Sequence, residues 1–166
     1  MKESKSGSAT TMKTLGIGLY WDELEVGQKF RTLNRTITEP DIVNFIGVTG
    51  MVETLFTDLT FDSHGGPLKG RVVPAACTYT MIEGLLVQST MQTTGLALLE
   101  VEKKVLKPVF AGDTVHAEVE VVAVRPTSKG NRGIVTTVND VVNQNGETVI
   151  TYRAVRMMAG RPDDAA

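Results

Sequence analysis

The sequence predicts an α+β domain in which an antiparallel sheet wraps around one long buried helix. Three observations carry that prediction. Residues 74–92 (PAACTYTMIEGLLVQSTMQ) are apolar nearly all the way round, with Ala75, Ala76, Cys77, Tyr79, Met81, Ile82, Leu85, Leu86, Val87 and Met91 leaving no wet stripe. A helix of that kind is buried in protein or in a membrane. Glu83, Gln88 and Gln92 interrupt it, and it is shorter than the roughly twenty apolar residues a membrane span needs. Protein is therefore expected to enclose it. After Gly95 the pattern changes to period two, as it does for antiparallel strands with one wet face. Finally, Asn145-Gly146 lies between two alternating runs, the strongest short-range hairpin signal.

With 166 residues, of which 42% are hydrophobic, the chain is large enough for one domain with its own core. That domain is expected over 15–160, between a disordered tail at 1–14, rich in Ser, Thr and Lys, and a short tail at 161–166. The formal net charge of −2 implies no basic face for nucleic acid. Cys77 is the single cysteine, which excludes an internal disulfide framework and a clustered-thiol metal site. It also fits a reducing compartment. No apolar run follows the basic start closely enough for a signal peptide, so a cytoplasmic location is expected, with a cleaved transit peptide as the alternative. No repeat and no membrane span are visible.

In chain order, Tyr20, Trp21 and Leu24 should anchor a lead-in to the body. Residues 29–38 alternate loosely and read as a strand. Thr38-Glu39-Pro40-Asp41 is a helix-start signature, with Pro just inside and acids in the first turn. Ile42, Val43, Phe45 and Ile46 give that helix its buried face, and Gly47 or Gly50 ends it. Residues 49–73 follow without periodicity, and a loop so long inside a compact domain is usually functional. Pro74 suits the first turn of the long helix and Gly95 the residue past its end. Strands are then expected at 98–108 and 113–125, joined as a hairpin through Val109-Phe110-Ala111-Gly112. A second pair at 133–143 and 147–159 flanks Gln144-Asn145-Gly146. Along 113–125, Val115, Ala117, Val119 and Val121 should face the core, with His116, Glu118 and Glu120 on the wet face.

Particular residues carry a closer likeness. Asp22-Glu23-Leu24-Glu25-Val26-Gly27-Gln28, the run TEPDIVNFIGVTG at 38–50, Gly70-Arg71-Val72-Val73, Lys107-Pro108-Val109 through Gly112-Asp113-Thr114, and Val142-Asn143-Gln144-Asn145-Gly146 occur in order and at matching spacing. Through them the chain resembles the MaoC-like family of (R)-specific enoyl-CoA hydratases and acyl dehydratases from about Tyr20 to Met158. The resemblance implies the hotdog fold and a homodimer or an assembly of dimers joined sheet edge to edge. It also implies acyl-CoA thioesters bound in a tunnel between subunits. Coenzyme A would enter as part of the substrate, and no separate cofactor is implied. In active members a Gly-Asp-x-Asn-Pro-x-His run on the long loop supplies the Asp and His that activate water. A backbone N–H at the start of the long helix, just after a His-Gly pair, holds the thioester carbonyl.

Here that run reads Gly50-Met51-Val52-Glu53-Thr54-Leu55-Phe56. Met51 stands at the Asp position, Glu53 at the Asn position and Phe56 at the His position, and Pro74-Ala75 replaces the His-Gly pair. Neither Met nor Phe transfers a proton, and general acid–base catalysis needs a titrating group within hydrogen-bond reach of water and substrate. Backbone survives: the N–H groups of Ala75 and Ala76, at the positive end of a helix, remain able to hold a carbonyl oxygen. Candidate replacement acids or bases are Glu53, Asp58 and His64. Solvated loop charge or turn structure is the plain alternative for each. Lys69, Arg71, Lys103, Lys104 and Arg125 are candidates for the phosphates of coenzyme A, against ordinary surface. Glu83 is expected to pair structurally at the dimer contact, and Cys77 and Tyr79 to be core.

Two classes of function follow. One is an enzyme on an acyl-CoA, a hydro-lyase with a non-standard site or a thioesterase. The other is a non-catalytic acyl-CoA-binding or partner subunit, pairing with an active hotdog chain.

Overall fold

The computed structural model describes residues 12–62, 65, 68 and 70–162. His64, Lys69 and the outer parts of both tails lie outside the described residues.

The lead-in docks as expected. Gly18 and Leu19 donate to the carbonyls of Gln92 and Thr90, each at 2.8 Å. Trp21, in a short 3₁₀ turn at Trp21–Glu23, packs so closely on Gly133 that the position has no room for a Cβ, and Asn131 together with Trp21 leaves none at Gly160. Leu24 is buried against Val121, Val135 and Met158. The strand expected at 29–38 is instead two short ones, β1 (Lys29–Arg31) and β2 (Arg35–Thr36). Thr32 is the reason. Its hydroxyl oxygen accepts the Ala117 N–H at 2.9 Å, so a side chain takes the place of a ladder carbonyl and the strand breaks.

The helix-start signature forms α1 (Glu39–Thr49). The Thr38 N–H and hydroxyl both donate to Asp41 Oδ2, at 2.8 and 2.7 Å, which satisfies the helix start. Those two bonds, helped by Arg35, hold the Asp41 carboxyl below its usual range. Gly50 ends the helix at φ 72°, the left-handed geometry that glycine adopts without a Cβ clash. One turn of helix, α2 (Thr54–Thr57), lies in the long loop, and α3 (Ala75–Leu86) opens the buried segment. A π-helical turn at Val87–Met91 extends α3. Thr93 then takes the left-handed conformation, φ 65°, and Gly95 begins the next strand instead of capping the helix.

Four long strands follow: β3 (Gly95–Val105), β4 (Thr114–Pro126), β5 (Arg132–Val142) and β6 (Thr148–Ala159). The sheet order is β1-β4-β5-β6-β3, with β2 beside β4 and every pairing antiparallel. The Asn-Gly hairpin between β5 and β6 is present, with Gly146 at φ 75°. The other expected hairpin is not: β3 pairs with β6, on the far side of the sheet from β4. The connection is occupied elsewhere, because Val73 donates to Val109 O at 2.9 Å and Ala111 to Arg71 O at 3.0 Å. Alternation identifies a strand but not its partner.

The helix lies on one face of this sheet. Cys77, Ile82 and Leu86 pack with Val115, Ala117, Val119, Val141, Ile150 and Ala154. The chain does not enclose α3 on every side, however. Thr80, Gly84, Val87, Gln88 and Ser89 are exposed, and so is every residue of β3, an edge strand carrying Leu96, Leu98, Leu99 and Val101. His116 also departs from expectation. It is buried, 6% exposed, with Nε2 3.4 Å from Glu118 Oε1. β4 is a central strand, flanked by β1 and β2 on one side and β5 on the other, which leaves the ring little open surface.

Candidate functional site

A cleft of about 350 Å³ opens between the long loop and the start of α3. Leu55 and Phe56 of α2, Val73 and Ala75 at the head of α3, and Val105 at the end of β3 form its walls, with Thr78 and Ile150 deeper. Lys107 is the titratable side chain among the described residues that line it, and its Nζ is paired with Glu147 Oε1 at 2.5 Å. Apart from Lys107 and Thr78 the lining side chains are apolar, as suits an acyl chain.

The head of α3 supplies the cleft's dipoles. Pro74 is the N-cap, with φ −53° and ψ 128°, and no side chain caps the helix. The first in-helix bonds run from the Cys77 and Thr78 N–H groups to Pro74 O, at 2.8 and 3.2 Å. Ala75 and Ala76 precede them, so their N–H groups have no partner within the helix. Ala75 lines the cleft.

The long loop is held to the body by Arg71. Its Nε donates to Glu39 Oε2 at 3.0 Å, its Nη2 lies 2.8 Å from Glu39 Oε1, and its Nη1 donates to the Phe56 carbonyl. The guanidinium is thus engaged within the chain, fixing α2 against the start of α1. Phe56 packs on the core and lines the cleft. Met51, 36% exposed, lies outside the residues lining it.

Glu53 is exposed at the N-cap of α2, where its backbone carbonyl accepts from Phe56 N–H and the Thr57 hydroxyl. Asp58 makes a turn: Oδ1 accepts from the Thr60 N–H at 2.8 Å and hydroxyl at 2.6 Å, which lowers its carboxyl pKa. Lys103 lies on β3 two residues before Val105, on the same face, with its Nζ 4.5 Å over the Tyr79 ring, whereas Lys104 alternates to the opposite face beside Glu102 and Arg153. Arg125 is at the other end of β4 from Thr114, about 36 Å along the strand by its rise per residue. Cys77 is 1% exposed and burial pushes its thiol up to about 11, so it is an inert core side chain.

Glu83 is paired within its own chain. Its Oε1 accepts from Arg156 Nη2 at 2.5 Å and from the Tyr152 hydroxyl at 2.6 Å, while Arg156 Nη1 donates to Thr137 Oγ1 at 3.1 Å. Burial and the Glu83 charge both push the Tyr152 phenol up. Tyr152 and Arg156 were invisible as partners in the sequence because both lie on β6, whose place in the sheet alternation does not reveal. Thr78 was also missed, though its spacing of three from Ala75 puts both on one helix face. Among the described residues no group of three or more His, Cys, Asp and Glu side chains converges.

Comparison with known proteins agrees with this geometry. Over 65 residues the chain is 42% identical to mesaconyl-CoA hydratase of Cereibacter sphaeroides, a match covering 39% of this chain and 18% of that protein. The chain therefore corresponds to a small part of that relative. The structure of the R-hydratase PhaJ1 of Pseudomonas aeruginosa superposes with a TM-score of 0.70 at 26% identity, covering 87% of each chain. A double-hotdog protein of Mycobacterium tuberculosis superposes with a TM-score of 0.78 at 18% identity, over 90% of this chain and 46% of that one, and establishes the hotdog fold. The MaoC like domain family matches residues 23–144, most of the chain. With its helix, sheet and cleft in the arrangement described, the chain belongs to the MaoC-like dehydratase family.

Proposed function

We propose that this protein binds acyl-CoA thioesters, with the acyl chain in the cleft and the thioester carbonyl at the Ala75 and Ala76 N–H groups. The observation that carries this reading is an apolar cleft meeting an uncapped helix N-terminus. A helix start without a side-chain cap presents donors and a positive dipole end to an acceptor oxygen. Lys103, on the same face of β3 as the cleft residue Val105, is the cation offered to the coenzyme A phosphates, and coenzyme A serves as part of the ligand with no separate cofactor. The net charge of −2 supports no nucleic-acid partner.

The Asp/His hydration of the family is not carried out by this chain's own residues, because Met51 and Phe56 occupy those positions. The chain then acts as an acyl-CoA-binding subunit. It forms a homodimer or an assembly of dimers, or joins an active hotdog chain in a hetero-oligomer. The exposed apolar edge of β3 and the open face of α3 support such an association. A cytoplasmic place belongs to this reading; among the described residues no helix is long and apolar enough to cross a membrane.

A second reading keeps a hydro-lyase with Glu53 as the acid or base. It is favoured by the likeness to mesaconyl-CoA hydratase and by the place of Glu53 at the head of α2, whose Leu55 and Phe56 line the cleft. The test is a stability screen with acyl- and enoyl-CoA esters, followed by turnover assays on whatever binds. A ligand bound only by the folded state stabilises by about 2.7 kcal/mol at a hundredfold excess over Kd. Stabilisation without turnover supports the first reading, turnover abolished by Glu53→Gln the second, and no stabilisation by any ester removes both.

A further inference from the structure

Among the described residues β3 is a free edge of the sheet, paired with β6 on one side only. All of its residues are exposed, and Leu98, Leu99, Val101 and Val105 make the edge apolar. Such an edge is a template for another strand, and a second copy of this chain offers the same edge. A two-fold axis between two copies sets β3 against β3 antiparallel.

The pleat restricts where that axis falls. Residues directly opposite each other point to one face, whereas neighbours along a strand point to opposite faces. The axis therefore passes through a residue that meets its own copy. From Glu100 to Val105 β3 pairs with β6 without a register shift, and both shifts fall before Glu100. The regular stretch offers axes at Val101, Glu102 and Lys103, because axes nearer its ends lose ladder to the bulge or to the end of the strand.

Charge separates these three. Glu100, Glu102 and Lys104 lie opposite Val155, Arg153 and Thr151 on the face away from α3. Val101, Lys103 and Val105 lie opposite Ala154, Tyr152 and Ile150, on the core side. An axis at Val101 sets Glu100 against Glu102 twice, so every carboxylate there meets another. An axis at Lys103 opposes two ammonium groups on the α3 side, where Lys103 Nζ lies 4.5 Å over the Tyr79 ring. An axis at Glu102 sets Lys104 against Glu100 twice. Its one like pair, Glu102 against Glu102, is on the wet face, where water screens it and Arg153 lies across the strand.

We propose that two copies of this chain join along β3 with the two-fold axis at Glu102, so that Lys104 meets the partner's Glu100 and Val101 meets the partner's Lys103. The inference rests on the association reading above and adds its register.

The experiment is mild oxidation of the full chain carrying Val101→Cys, Glu102→Cys, Lys103→Cys, or Val101→Cys together with Lys103→Cys, read by non-reducing electrophoresis. Sedimentation of the natural protein runs beside it. Cys77 is 1% exposed and stays out of the reaction. Directly opposite residues have Cα atoms about 4.5–5.5 Å apart, within the range a disulfide bridges, and diagonal neighbours at about 7–8 Å lie beyond it. Glu102→Cys should form a covalent dimer by itself. The double variant should form one where neither of its single variants does. A covalent dimer from Val101→Cys alone or Lys103→Cys alone moves the axis and overturns the inference, leaving the association reading standing. A natural protein that sediments as a dimer while no variant is cross-linked overturns it too, and places the contact off β3. A natural protein that sediments as a monomer overturns the reading and the inference together.

Discussion

Arg71 grips Glu39 through two nitrogens, Nε to Oε2 at 3.0 Å and Nη2 to Oε1 at 2.8 Å, while a third donates to the Phe56 carbonyl. One side chain thereby ties the head of α1 to α2 and to the segment that leads into α3. The site depends on that tie, because α2 carries Leu55 and Phe56 to the cleft and α3 presents its N–H groups there.

Arg71→Leu should destabilise the protein by about 2 kcal/mol, since Arg71 is largely buried and Phe56 O and Glu39 lose a charged donor. Arg71→Lys should recover only part of the loss, as an ammonium does not reproduce the paired fork. Denaturant unfolding checks the magnitude. Proteolysis within residues 49–73 checks that the loop loosens.

The cluster at the other end of α3 gives a larger effect. Glu83→Ala leaves the Arg156 guanidinium, 6% exposed, without its carboxylate. Removing one partner of a buried pair costs about 3–5 kcal/mol. Glu83→Ala with Arg156→Met should be less destabilised than Glu83→Ala alone, and a double-mutant cycle by urea unfolding measures the difference.

Asp41 links stability to acid. Its folded-state pKa is lowered by the Thr38 hydroxyl and N–H, with Arg35 adding to them. The unfolded chain therefore binds this proton more readily than the folded one. The stabilisation is present above the ordinary value of 3.8 and is lost as pH falls through the lower folded value. Asp41→Asn should be less stable than the natural protein at neutral pH and show a smaller further loss below about pH 4. Thr38→Ala should cost about 1 kcal/mol at neutral pH. Melting curves across the acid range separate these outcomes.

Much of the fold was legible because local signals and tertiary structure agree. Thr38 to Asp41 started a helix, Asn145-Gly146 turned a hairpin, and Val115, Ala117, Val119 and Val121 went to the core. What was not legible depends on pairing across the chain. The alternation at β3 said strand, but nothing local told that its partner is β6, because the hydrogen bonds of residues 106–111 are taken by Arg71, Val73 and Val149. The interruption at Thr32 and the burial of His116 have the same origin, a neighbour contributed from far along the chain. For the site, the expectation that Met51 and Phe56 stand at the family's Asp and His positions came from residue type alone. The commitment of Arg71 to Glu39 was not legible, since it depends on a partner far along the chain.

The apolar edge of β3 gives a test of association. Leu98 and Leu99 are each 51% exposed on a strand with unpaired backbone groups. Leu99→Lys, a charge of the kind that blunts natural sheet edges, should turn the proposed dimer into monomers in sedimentation. Unchanged sedimentation would place the contact elsewhere.

The central claim is that the cleft holds an acyl thioester without hydrating it. Calorimetric titration of the full chain with crotonyl-CoA reads both parts at once. The account predicts a saturable isotherm in which the signal returns to baseline after each injection. Heat that continues between injections, accompanied by loss of the enoyl ester, would show turnover. A titration with no binding heat and no displacement of other acyl-CoA esters would show that the cleft serves another ligand. Either result would contradict the account.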